Sequence, residues 1–144
     1  MRISDVLRAK GRDVVTVAPD TDVRGLLAVL AEHGIGAAVV SRDGRSVDGI
    51  VSERDVVRAL ADRGPAVLGE RVSDIHTAEV HTVGPDAMVH EIMRIMTDHR
   101  IRHLPVVTDG VLSGIASIGD IVKNRIDELE TEYSALSRYV SGDR

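Results

Sequence analysis

Cysteine, phenylalanine and tryptophan are all missing from this 144-residue chain, and tyrosine occurs only at Tyr133 and Tyr139. Without cysteine there is no disulfide framework, no thiolate metal site and no cysteine nucleophile. With its two aromatics confined to the C-terminal tail, the chain offers no base-stacking platform, and a net charge of −5 argues against a general nucleic-acid surface. No apolar run approaches the roughly 18 residues that span a bilayer, and Met1 to Asp13 lacks the apolar stretch of a signal peptide. The expectation is a cytoplasmic protein that engages neither nucleic acid nor membrane. The apolar share of 43% suits a globular core, which must be built from Val, Ile, Leu, Ala and Met.

What the chain does have is the same unit twice. Thr16 to Gly44, TVAPDTDVRGLLAVLAEHGIGAAVVSRDG, runs parallel to Thr82 to Gly110, TVGPDAMVHEIMRIMTDHRIRHLPVVTDG, at an offset of 66 residues. After one extra residue in the first hairpin the offset becomes 65, and GIVSERDVV from Gly49 meets GIASIGDIV from Gly114. A duplicated unit tends to pack about a pseudo-two-fold axis, which leaves two related clefts at the seam. A unit of about 60 residues is marginal alone, so the copies are expected to depend on each other.

Each copy reads β-α-β-β-α. A short extended piece (Val14 to Val17; Val80 to Val83) meets Pro-Asp, which stops it and starts a helix. Val23, Leu26, Leu27, Leu30 and Ala31 recur at helical spacing in the first copy, and Val89, Ile92, Met93 and Met96 in the second. Each stripe is expected to face the core. An apolar strand follows (Ala37 to Val40; Leu104 to Val107), then a hairpin signal at Asp43-Gly44 or Asp109-Gly110. The return strand (Val47 to Val51; Val111 to Ala116) passes through Ser52 or Ser117 into another helix. A short leading helix, with Ser4 and Asp5 as its cap and Gly11 as its end, has its counterpart at Val72 to Ile75. The fold class is α/β in the α+β sense, two such repeats about a pseudo-two-fold axis. Residues 1–67 hold the first repeat with its leading helix, 68–130 the second, and 131–144 a helical tail. Three roles are open to that tail: capping the module, binding a partner chain, or fraying.

Two segments can carry chemistry. Ser52-Glu53-Arg54-Asp55 and Ser117-Ile118-Gly119-Asp120 share Ser-x-x-Asp where a strand passes into a helix. This approximates a capping box. It also offers a fixed carboxylate for ribose hydroxyls beside helix amides that suit phosphate. Both uses draw on one helix N-terminus and can coexist. In HRIRHLPVV, His99, Arg100, Arg102 and His103 place positive charge before a buried strand, where the first copy has Gly34, Gly36 and Ala37. One copy supplies cations for phosphate; the other supplies small residues that admit a ligand to the backbone. The plainer alternative is a solvated helix end complementing its dipole. His99 and His103 do not read as a metal pair, because Leu104-Pro105 biases the chain to extended structure between them. No Gly-rich phosphate loop, nucleophile elbow or paired carboxylates argue for catalysis.

The repeated unit, the GIVSERD and GIASIGD turns and HRIRHLPVV together resemble the tandem CBS domain pair, or Bateman module, of the stand-alone bacterial type. The resemblance runs from about Ile3 to Leu129. It implies a regulatory sensor of energy or redox state, not an enzyme and with no catalytic cofactor or metal. The ligand would be an adenosyl compound such as AMP, ADP, NAD(H), ATP or S-adenosylmethionine, with AMP or NAD(H) leading. Carried onto this chain, Asp55 and Asp120 would bind ribose with Ser52 and Ser117 assisting. Adenine would lie near Val14, Val15 and Thr16 in one site, and near Val80, His81 and Thr82 in the other. Arg54 would reach the phosphate of the second site, while Arg100, Arg102 and His103 serve the first, across from Ala37. The family pattern more often has Thr at Ser52 and Ser117, and Ile118-Gly119 replaces Glu53-Arg54, so the two sites are expected to be unequal. A ligand-dependent homodimer and a further protein target are the implied partners. The alternative is a protein-interaction scaffold with no physiological nucleotide.

Overall fold

The computed structural model describes residues 1–11 and 14–142. Helix α1 spans Ile3–Lys10 and is followed by strand β1 (Thr16–Val17), helix α2 (Val23–His33), and strands β2 (Ala37–Val40) and β3 (Gly49–Ser52). Helix α3 (Glu53–Arg63) completes the first repeat, and two 3-10 turns, Pro65–Gly69 and Val72–Asp74, lead to the second. That repeat contains α4 (Val89–His99), β4 (His103–Thr108), β5 (Val111–Ser117) and α5 (Ile118–Ser141).

In the first repeat β2 is central, parallel to β1 and antiparallel to β3, with Thr16 opposite Val39 and Ala37 opposite Ser52. All four residues of β2 are buried. In the second, β4 and β5 form an antiparallel pair whose register places His103 opposite Ser117. The expected opening strand of this copy does not form: among residues 80–83 only Val83 makes a bridge, to Val106. Polar His81 and Thr82 lie exposed there, with nothing apolar to bury on alternate positions. In the first copy, too, the strand begins at Thr16 rather than Val14.

Several local readings change for physical reasons. Helix α1 starts one residue before Ser4; its first turn is closed by Arg2 N–H donating to the Asp5 carboxylate at 3.3 Å. Pro19-Asp20 sits in a turn, and α2 is capped by Asp22, whose carboxylate accepts from Gly25 N–H at 2.7 Å. Ala31 and Met93, placed in the apolar stripes by spacing, are exposed at the stripe edges. Asp109-Gly110 does make a tight hairpin with both residues at positive φ (52° and 78°), as a type I′ turn requires. Asp43-Gly44 belongs to a wider loop, where Asp43 accepts from Ser41 Oγ, Arg45 N–H, Ser46 N–H and Ser46 Oγ. These bonds, those from the backbone of Ser46 and Arg45 above all, hold its carboxyl well below the ordinary range.

The two cores exchange their leading segments. Ile3, Val6 and Leu7 of α1 pack with Val89, Ile92, Met96 and Leu104 of the second repeat. Val72, from the turn leading into the second repeat, packs with Val17, Val23 and Leu26 of the first. The backbone repeats the exchange bond for bond. Ile3 N–H donates to Ala87 and Ser4 N–H to Pro85, just as Val72 N–H donates to Thr21 and Ser73 N–H to Pro19. Each repeat thus depends on a piece of chain supplied from outside its own β-α-β-β-α run, and the two halves are held face to face.

Candidate functional site

The strand-to-helix turns are true capping boxes. Ser52 Oγ accepts from Asp55 N–H at 3.3 Å while Ser52 N–H donates to Asp55 Oδ2 at 2.8 Å. Ser52 Oγ also lies 3.1 Å from that same oxygen. Ser117 and Asp120 repeat the pattern at 3.2 and 3.1 Å. In both boxes Oδ2 takes the bonds. Each Asp keeps a second oxygen with no partner among the described residues, so capping leaves an acceptor for a ligand hydroxyl.

A second pair of equivalent bonds ties these turns to the seam. Glu53 N–H donates to Gly36 carbonyl at 2.9 Å, and Ile118 N–H to Arg102 carbonyl at 2.8 Å. The start of each helix therefore sits against the start of the strand that carries the contrast between small residues and cations.

The two repeats enclose a cleft of about 250 Å³ at this point. One wall is Gly36, Ala37, Ile50 and Ser52, with Glu53, Arg54, Asp55 and Arg58 from the first turns of α3. The floor comes from the connector, Thr77, Glu79, Val80 and His81, and the far wall is Arg100, Ile101, Arg102 and His103. Four guanidinium groups and two imidazoles face three carboxylates, which favours an anion with a polar, hydroxyl-bearing part.

The far wall is shaped by an unusual backbone. Helix α4 ends with Arg100 in the left-handed conformation, φ 54° and ψ 44°, where the first repeat has Gly34 at φ 61° and ψ 39°. The chain then becomes strand at His103, so His99 and His103 part, in line with the extended bias of Leu104-Pro105. His99 instead stacks on His81, ring centroids 4.0 Å apart. Burial pushes the His103 imidazole below its ordinary value; nearby Lys10 adds to that, Asp120 and Glu53 oppose it, and Arg102 adds again.

Of the residues expected to bind ligand, Ala37, Ser52, Arg54, Asp55, His81, Arg100, Arg102 and His103 share this one cleft. Arg54, expected to reach the phosphate of the second site, stands in the lining with Asp55, and so does His81. Val15, Thr16, Thr82, Ser117 and Asp120 are outside that lining. Thr16 is held in β1 opposite Val39, and Asp120 is engaged by Lys10 at 2.6 Å. Four polar residues of the cleft, Glu53, Arg58, Thr77 and Glu79, were not among the expected ligand contacts. Glu53 and Arg58 follow from the helical spacing around Asp55; Thr77 and Glu79 arrive by a connector whose path has no periodic signal.

Comparison with known proteins fits this geometry. The CBS domain family model matches two tandem segments, residues 3–62 and 72–127. The chain belongs to the CBS domain family. Its fold is similar to that of a CBS-domain protein of Agrobacterium tumefaciens, at 45% identity and a TM-score of 0.84 over 87% of this chain and 99% of that one. A CBS domain protein of Pyrobaculum aerophilum, solved in complex with AMP, is 32% identical with a TM-score of 0.73, covering 83% of this chain and 89% of that one. The mitochondrial CBS domain-containing protein CBSX3 of Arabidopsis thaliana is 35% identical over 97% of this chain and 72% of its own length. No described helix of the CBS pair is long and apolar enough to cross a membrane. The CBS pair is in general a regulatory module for adenosine-type ligands.

Proposed function

We propose that the cleft between the repeats binds an adenine nucleotide, AMP first and NAD(H) or ATP after it, and that the protein is a cytoplasmic sensor without catalytic activity. The observation that carries this reading is Asp55, its second carboxylate oxygen unpartnered among the described residues, set in one 250 Å³ cleft with Arg54, Arg58, Arg100 and Arg102. Asp55 receives the ribose hydroxyls and the guanidinium groups receive phosphate, while Gly36 and Ala37 leave the backbone accessible. The size of the cleft suits a mononucleotide better than a dinucleotide. The AMP complex of the Pyrobaculum relative supports the ligand class. Occupancy of the cleft joins the two repeats and so alters how two copies of the module pack as a homodimer.

A thermal-shift panel of AMP, ATP, NAD, NADH and S-adenosylmethionine tests the reading. Ligand at a hundredfold excess over Kd stabilises by about 2.7 kcal/mol. Asp55→Glu keeps an acidic residue at the capping position but moves the carboxylate. It is expected to melt near wild type alone and to lose the AMP shift. Unchanged AMP affinity in Asp55→Glu would overturn the ribose assignment.

A further inference from the structure

Helix α5 continues well past what the second repeat needs: 24 residues, about 36 Å at 1.5 Å per residue. Its inner side carries buried Ile121 and half-buried Asn124 and Glu128. Its outer side carries Val122, Ile126, Leu129, Tyr133, Leu136 and Val140, between 46% and 77% exposed. Their spacing is 4, 3, 4, 3, 4, the two-per-heptad seam of a coiled coil rather than the broader stripe that packs on a globular core. Single exposed apolar residues are ordinary, but a continuous seam of this length marks a surface that is covered.

The charges beside the seam indicate what covers it. Lys123 and Arg125 flank its first half, Glu130 and Glu132 its second. A second copy laid antiparallel, with Ile126 over Leu129 and Val122 over Tyr133, sets Lys123 beside Glu130 and Arg125 beside Glu132, and by symmetry the reverse. A parallel copy matches only Arg125 with Glu130. The helix meets its own repeat through the opposite side, at Ile121, which leaves the outer seam free to meet another copy.

We infer that the exposed face of α5 is the homodimer interface, formed with a second copy of this chain running antiparallel. The inference rests on the dimer in the functional reading above and not on its ligand. Sedimentation without nucleotide is expected to show a dimer, and Ile126→Glu with Leu129→Glu to give a monomer that keeps a cooperative melt and its AMP shift. As the chain has no cysteine, co-expressed Val122→Cys and Tyr133→Cys chains are expected to crosslink on air oxidation, while each alone does not. Self-crosslinking of each variant alone, without added crosslinking in the mixture, overturns the antiparallel seam. A wild-type dimer unaffected by the glutamates overturns this surface while leaving the dimer. A wild-type monomer that still binds AMP overturns both the surface and the dimer and leaves the ligand reading standing.

Discussion

Lys10 Nζ lies 2.6 Å from Asp120 Oδ2 and donates a second hydrogen bond to the Ile115 carbonyl at 3.1 Å, whereas Asp55, the equivalent of Asp120, forms no ion pair among the described residues. The last residue of α1 thus places a cation on the carboxylate of one motif, at the oxygen its cap already uses, and none on the other. Burial pulls the Asp120 carboxyl upward, but the bonds from Lys10 and Ser117 outweigh it and hold the group below its ordinary 3.8. The inequality of the two motifs lies in a cation from another element as well as in the replacement of Glu53-Arg54 by Ile118-Gly119.

Lys10→Met is expected to cost about 1 kcal/mol at neutral pH, a charge-assisted bond discounted for its partial exposure. A depressed carboxyl contributes stability that is present above its unfolded value and lost as pH falls through its folded one. The gap in Tm between wild type and Lys10→Met is therefore expected near pH 7 and to close as the pH falls below 3.8. Titration calorimetry with AMP is expected to give one tight equivalent for wild type and a detectable second for Lys10→Met. A gap in Tm that persists in acid would place the stabilisation elsewhere.

That contrast shows what could and could not be read from residue order. Strand β2 is visible in Ala37-Ala38-Val39-Val40 because a fully buried strand leaves a continuous apolar run. Asp55 is visible because repeat alignment keeps Ser-x-x-Asp in both copies, and Arg100, Arg102 and His103 because it exposes where equivalent positions differ in charge. Lys10 is invisible to the same method: its partner is 110 residues away and reaches it only because the leading helices trade places between the cores. Val80 to Val83 misleads in the other direction, since valine spacing suggests a strand that His81 and Thr82 prevent from being buried. Periodicity reports which face of an element is apolar, and says little about which neighbour covers it.

The trade of leading helices is itself testable at Gly114. A Cβ there would stand 2.5 Å from Leu7 Cδ1, so Leu7 of α1 is seated directly on the backbone of β5. Gly114→Ala is expected to cost about 1–3 kcal/mol by overpacking. Leu7→Ala alone is expected to cost about 2–5 kcal/mol by opening a cavity. Since the new methyl enters the space the leucine vacates, urea denaturation of the double variant should show clearly less than the sum. Strict additivity would mean that α1 does not dock on Gly114 in solution.

His103 couples the cleft to pH. Its imidazole is held below the ordinary 6.5 mainly by burial, so the folded protein disfavours the protonated form. Stability from this group is present above the unfolded value and lost as pH falls through it. A bound phosphate beside His103 raises the imidazole again, so AMP binding should take up protons near pH 6, and affinity should rise between about pH 7 and 6. Calorimetry at pH 6 in two buffers of different ionisation enthalpy measures the uptake, and His103→Gln should abolish it. Uptake that survives in His103→Gln would assign it to another group.

Arg100 gives the sharpest separation of binding from folding. Its backbone is left-handed at φ 54°, a conformation that costs a non-glycine residue about 1 kcal/mol and that the first repeat fills with Gly34. On the nucleotide reading proposed above, that cost is offset by contact of the side chain with phosphate. Arg100→Gly is therefore expected to leave the unliganded protein as stable as wild type or up to about 1 kcal/mol more so. The same change removes a charged hydrogen-bond donor from phosphate and should weaken AMP about tenfold or more. Paired melts with and without AMP read both effects in one experiment. A variant that melts lower without ligand and keeps its AMP shift would show Arg100 to be a structural cap rather than part of the site.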